Sequence, residues 1–292
     1  MYINRVAKFV LLAVVPFAAS CATEISSNSS PSALSSRSSR DNPDAPSDDA
    51  PAPVRDRAHV AQVRVPGAKV VGYYDMFSGS GQDYEVPPIL GAGATAISIA
   101  DPAAPALNDL NVLFVTNPDN SGYGFEYVSR LADIAAAVQA GMVLVIHDRA
   151  VFGASSILPA GAGFGIFSDF TDSADIDIRD GSTAVTANLN NASLDGGNAS
   201  SHGFAADSTL PAHSKLILTT STTSHIVTFC YPAGRGAVIY STIPLDFYLQ
   251  GSGNNPPRDA MRNTYATNIV KYAAAGACGV HGGPRPTPNV VH

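Results

Sequence analysis

The chain has 292 residues, 45% of them hydrophobic and 14% charged, with a formal charge of −7 from 17 basic and 24 acidic side chains. That is too apolar for a wholly disordered chain, and an acidic chain without a basic stripe is poorly suited to nucleic acid, where phosphate neutralisation supplies most of the affinity. Three cysteines are too few for a disulfide framework or a four-thiolate zinc site.

Arg5 and Lys8 precede an apolar run from Phe9 to Ala19. About eleven residues are too few to cross a bilayer of roughly 30 Å as a helix. Ala18, Ala19 and Ser20 then lead to Cys21, the layout of a secretory signal peptide over residues 1–20. Ending in Cys, the segment resembles the lipobox of bacterial lipoproteins, with Ala18 where that family favours Leu. The resemblance implies diacylglycerol on the Cys21 thiol, cleavage before it and acylation of its new amine. Two or three acyl chains on one residue make attachment to a bilayer effectively permanent. Ala22 in place of Asp implies sorting to the outer membrane, so the expected location is the bacterial cell envelope, lipid-anchored.

Residues 21–66 are dominated by Ser, Pro, Asp and Ala and cannot bury enough apolar surface to offset ordering. They read as a disordered tether. Residues 67–275 read as one domain, and 276–292, rich in Gly and Pro, as a flexible tail.

Within the domain, apolar runs of strand character recur at Val70–Tyr74, Thr95–Ile99, Val112–Thr116, Met142–His147, Leu216–Thr219, Ile226–Tyr231 and Ala237–Ser241. The early runs are continuous, as in strands covered on both faces. Phe125, Val128, Leu131, Ile134 and Val138 predict a helix over Phe125–Ala140, ended by Gly141. The unit NVLFVTN, helix, MVLVIHD is a right-handed βαβ crossover. A second helix is expected from Arg258 to Ala275. The last three apolar runs form an antiparallel meander with tight turns. Residues 160–214 read as a long surface excursion with one short strand at Ile176–Ile178. The expected fold is α/β: a mainly parallel sheet flanked by helices, flavodoxin-like, with an antiparallel C-terminal extension.

The order of strand, Gly-rich turn, NVLFVTNP, helix, MVLVIHDRA, excursion, hairpin, AVIYSTIPLDFYL and terminal helix resembles the class I glutamine amidotransferase-like fold over about residues 69–275. Active members of that family carry a Cys at a sharp turn after a central strand and a His and Glu near the C-terminus. Here the turn after Met142–Ile146 reads His147-Asp148-Arg149, Cys230 lies within a strand, and Ile243-Pro244-Leu245-Asp246 holds no His-x-Glu. A thiolate nucleophile needs a neighbouring base and an exposed elbow. The departure implies a non-catalytic member that binds or scaffolds an envelope partner or small ligand.

In open α/β sheets, ligands bind beyond the carboxyl ends of the strands. Asp75, Ser78, Asn117, His147, Asp148 and Arg149 are therefore expected to line a ligand cleft. A His beside a carboxylate can act as general base, so the rival reading is a hydrolase using His147 and Asp148. The glycines near Ser78 match no phosphate-binding motif, and Ser155 and Ser156 lack the G-x-S-x-G frame. Asp169, Asp172, Asp175, Asp177, Asp180, Asp195 and Asn198 offer oxygen ligands without the spacing of a calcium loop. His202, His213 and His225 follow no zinc pattern. Neither a metal nor a cofactor is expected. Cys230 and Cys278, the two thiols left beside Cys21, are candidates for a disulfide in an exported chain, provided their Cα atoms come within about 7 Å.

Overall fold

The computed structural model describes residues 67–171, 174–195, 200–250 and 256–280. The signal peptide expected over residues 1–20, Cys21, the tether to residue 66, Asp172, Asn198 and the tail beyond residue 280 lie outside the described residues.

Ten strands form one sheet: β1 (Val70–Asp75), β2 (Thr95–Ser98), β3 (Val112–Asn117), β4 (Val143–Asp148), β5 (Ile166–Ser168), β6 (Asp177–Ile178), β7 (Gly203–Ala206), β8 (Lys215–Thr219), β9 (His225–Ala233) and β10 (Gly236–Ser241). The first part, in order β2-β1-β3-β4-β10, is parallel throughout. Counted in chain order, that is the 2-1-3-4-5 arrangement of flavodoxin-like sheets, with its switch point between β1 and β3. β9 returns antiparallel to β10 through a tight turn, β8 pairs along β9, and β7 and β5 extend the sheet at the start of β9.

The parallel strands are continuous apolar runs because helices cover both faces. Alternate residues divide between two cores. Val71, Phe114, Val145 and Ile239 face one way, toward α1 (Val86–Gly91) and the C-terminal helices. Leu113, Val115, Leu144 and Val238 face the other way. There they meet α2 (Ala104–Leu107), α3 (Phe125–Ser129) and α4 (Leu131–Gln139).

Three features depart from the sequence expectations. The helix after β3 is two helices broken at Arg130, and its first-turn apolar residues do not face the core: Phe125 and Val128 are exposed, and Tyr127 is the buried one. The excursion is part of the fold. It carries β5, β6, β7 and the short α5 (Asn191–Leu194), and it sends Ile176, Val185 and Leu194 into the first core. Asn268 fixes it by donating to the carbonyls of Val185 and Ala187 at 3.2 and 2.7 Å.

The closing segment runs through α6 (Leu245–Gln250), α7 (Pro256–Ala260), a π turn at Met261–Tyr265 and α8 (Ala266–Ala274). Fraying does not begin at Ala275: Ala277 is buried, and Cys278 is disulfide-bonded to Cys230 on β9 with a Cα–Cα distance of 5.9 Å.

Candidate site at the strand ends

Asp75, Asn117 and Asp148 end β1, β3 and β4 side by side, as the parallel register dictates. The same pleat divides them. Thr116 and His147 face α8, whereas Asn117 and Asp148, each one residue further along, face α3 and α4.

On the α3 face, Asp148 is buried and fully engaged. Its Oδ1 accepts from Asn117 Nδ2 and from the Ala150 amide, both at 3.0 Å. Its Oδ2 accepts from Tyr123 at 2.9 Å and Tyr240 at 2.8 Å. Burial raises its pKa, against the pull of these donors. Asn117 also donates to the carbonyl of Gly122, which holds the loop before α3 against the end of β3.

On the α8 face, His147 Nε2 meets the Tyr265 hydroxyl at 3.2 Å, and Nδ1 has no partner among the described residues. Tyr265 joins Thr228 and Ser241 in a buried hydroxyl cluster. The His147 ring is wedged edge-on between Phe114 and Tyr265. Burial holds its pKa down to about 3, so the ring is neutral.

Three further carboxyls gather on this face. Asp75 Oδ1 accepts from the Phe77 and Ser78 amides, and its Oδ2 accepts from Tyr84. Glu85, wholly buried, accepts from Thr116 and the Gln82 amide, and its pKa is pushed well up by burial. Asp246 is paired with Arg149 at 3.2 Å; burial raises it to about 6 although Arg149 pulls the other way. Arg149 also donates to the Pro118 carbonyl, and its own carbonyl meets His202 Nδ1 at 2.8 Å. Nδ1 must therefore carry the proton, which leaves Nε2 bare; burial lowers His202 to about 4.

The expected cleft residues thus converge on one end of the sheet, but all except Ser78 are buried, and most of their bonds go to other parts of the chain: only the Asn117–Asp148 bond and that of the Ser78 amide to Asp75 join two of them. The hydrolase pairing fails on strand geometry: consecutive residues of β4 point to opposite faces, so Asp148 cannot orient or receive a proton from His147. Ser78 is exposed and donates to the Ser80 carbonyl. Sequence reasoning missed Glu85, Tyr240, Tyr265 and Arg149's partner Asp246, which come from distant segments. Among the acidic residues of the excursion, Asp169 and Asp180 cap Thr171 and Ser182, and Asp195 accepts from the Ile176 amide.

The sharp turn after β4 lies further along than expected. The Phe152 amide donates to the Ala150 carbonyl at 2.5 Å, and Val151 between them has φ 58°. This is a γ-turn with a left-handed central residue, a strained conformation for a β-branched side chain. Val151 is fully buried.

No protein-family model and no curated protein matches the chain. A cytoplasmic protein from Salmonella typhimurium aligns in structure with a TM-score of 0.48 at 11% identity, over 72% of this chain and 99% of its own. A ThuA-like protein from Bacteroides uniformis gives 0.42 at 11% identity, over 70% and 94%.

Proposed function

We propose that this chain is an exported, lipid-anchored protein of the bacterial cell envelope whose amidotransferase-like domain binds or scaffolds an envelope partner rather than catalysing a reaction. The observation that carries the reading is Val151. It occupies the strained turn three residues past the central strand β4, and its side chain is aliphatic and buried; active members of the family the chain resembles carry their nucleophile at a sharp turn after a central strand. Strain of order 1–3 kcal/mol persists only where surrounding structure imposes it, and here it presents no reactive atom.

Export draws support from the Cys230–Cys278 bond, because disulfides accumulate in oxidising compartments. The lipobox resemblance at Cys21 supplies the anchor.

Two experiments test the reading. The purified chain should release no ammonia from glutamine and cleave no model ester; turnover abolished by a substitution at the strand ends refutes the non-catalytic role. Cys21→Ser should move the protein from the membrane to the soluble fraction or block its processing; unchanged membrane partition refutes the anchor.

A further inference from the structure

The large exposed aromatics gather around the carboxyl ends of the strands. Phe125 is 83% and Phe152 79% exposed, and Phe77, Phe167 and Phe170 are each about half exposed, at 48–54%. Folded surfaces rarely leave such side chains bare in a group without an interaction to serve.

Their segments are locked together. A Cβ on Gly124 would lie 1.9 Å from the Met76 carbonyl oxygen, so the segments bearing Phe77 and Phe125 are in backbone contact. The Tyr123–Asp148 bond ties the loop before Phe125 to the end of β4, four residues before Phe152. A Cβ on Gly203 would meet both Val151 Cγ1 at 2.9 Å and the Phe167 carbonyl oxygen at 2.0 Å. Phe170 lies on the His202 ring, with centroids 4.9 Å apart.

The charge among these aromatics is of one sign. Asp83, Asp119, Glu126 and Asp169 stand on the same segments, and none of the four is salt-bridged among the described residues. The arginines at this end are occupied: Arg130 holds Asp101, Arg149 is buried on Asp246, Arg179 holds Asp207, and Arg258 lies over Phe247. Lys69 and Arg235 belong to the opposite end of the sheet, before β1 and in the β9–β10 turn.

We infer that this rim docks a basic, apolar segment of another protein, an inference that rests on the binding role proposed above and names its partner's chemistry. Aromatic side chains anchor into the partner's apolar face, and the acidic groups between them select Lys and Arg. A bilayer is the poorer occupant, because interfacial anchors pair their aromatics with basic residues. A second copy is poorer too, since it would set two acidic rims against each other.

The test uses the full-length Cys21→Ser chain, free of acyl groups, and a fluorescein-labelled peptide of leucines and lysines patterned as an amphipathic helix. Binding is read by anisotropy. Saturable binding is expected, weakening as salt rises from about 0.05 to 0.5 M. Phe125→Ser together with Phe152→Ser should weaken it by about tenfold or more, with the melting temperature unchanged because both rings are exposed. Glu126→Lys should weaken it too, while a glutamate version of the peptide should not bind. No saturable binding, or binding indifferent to the Phe pair, overturns the inference. So does Phe-dependent flotation with lipid vesicles, or self-association that the Phe pair abolishes, each of which hands the rim to a different occupant. None of these outcomes touches the non-catalytic reading, which falls only on turnover.

Discussion

Tyr240, at the end of β10, donates its hydroxyl to Asp148 Oδ2 at 2.8 Å, across the seam where β10 joins β4. Tyr123 supplies a second hydroxyl to the same oxygen. A buried carboxylate is tolerable only when its lone pairs are filled, and this one binds three separate segments to the end of β4. Asp148→Ala would leave the Asn117 amide and two tyrosine hydroxyls without their acceptor. The expected loss is about 3–5 kcal/mol, measured as a shift in the denaturant midpoint. Tyr240→Phe removes one charge-assisted bond and should cost about 1.5–3 kcal/mol. An Asp148→Ala chain as stable as the parent would show that the carboxylate is not buried in this network.

His147 and Asp246 should pull the pH dependence of stability in opposite directions. His147 is held neutral to about 3, whereas an unfolded histidine titrates near 6.5. Between those values the unfolded chain binds one proton more than the folded chain, so this residue makes stability fall as pH falls below about 6.5. Asp246, raised to about 6, reverses the difference: from about 3.8 to 6 the folded chain binds the extra proton, so its contribution is lost as pH rises through 6. Each proton is worth about 1.4 kcal/mol per pH unit. Between pH 4 and 6, His147→Gln should reduce the slope of unfolding free energy against pH by about that amount, and Asp246→Asn should increase it. Slopes that move the same way in both variants would contradict the burial of one of the two groups.

The parallel core was legible because its strands are unbroken apolar runs, and both cores reuse those runs through simple alternation. Of the excursion only the short strand was legible, expected at Ile176–Ile178 and found at Asp177–Ile178; its part in the core was not. Ile176, Val185 and Leu194 lie nine residues apart and among polar neighbours, so no period links them, although all three are fully buried. Periodicity also misplaced the first turn after β3: Phe125 and Val128 lie at helical spacing but face solvent, because the chain breaks at Arg130 and turns Tyr127 inward. At the site, the convergence of Asp75, Asn117 and His147 followed from the rule of strand ends. Their sealing did not, because it depends on Tyr123, Tyr240, Tyr265 and Asp246, which no local pattern connects. The opposition of His147 and Asp148 follows from the strand period once β4 is known to continue through Asp148.

Gly124 and Gly203 set how closely the segments bearing the rim aromatics can pack. An added methyl at Gly203 would sit 2.0 Å from the Phe167 oxygen, with φ at 159°. Gly203→Ala should force β5 away from β7 and cost about 1–3 kcal/mol or more. Gly93, at φ 74° but with open space around it, is the control: alanine there meets only the backbone penalty of a left-handed residue, about 1 kcal/mol. Equal costs at the two sites would mean that the β5–β7 contact is not tight.

Cys278 sits just past α8 and reaches back to Cys230, 48 residues earlier and fully buried on β9. The bond closes a loop that contains β10, α6, α7 and α8, so it restrains a segment of 48 residues in the unfolded chain. In the chain-entropy account a loop of that size is worth about 4 kcal/mol. Reduction, or Cys278→Ala, should therefore lower the unfolding free energy by about that much. Cys230→Ala should cost more, because it also opens a space in the first core. The measurement is a pair of denaturant titrations with and without reductant, alongside thiol counting on the unfolded chain: identical midpoints, or two titratable thiols from these positions in the unreduced protein, would show that the bond does not form.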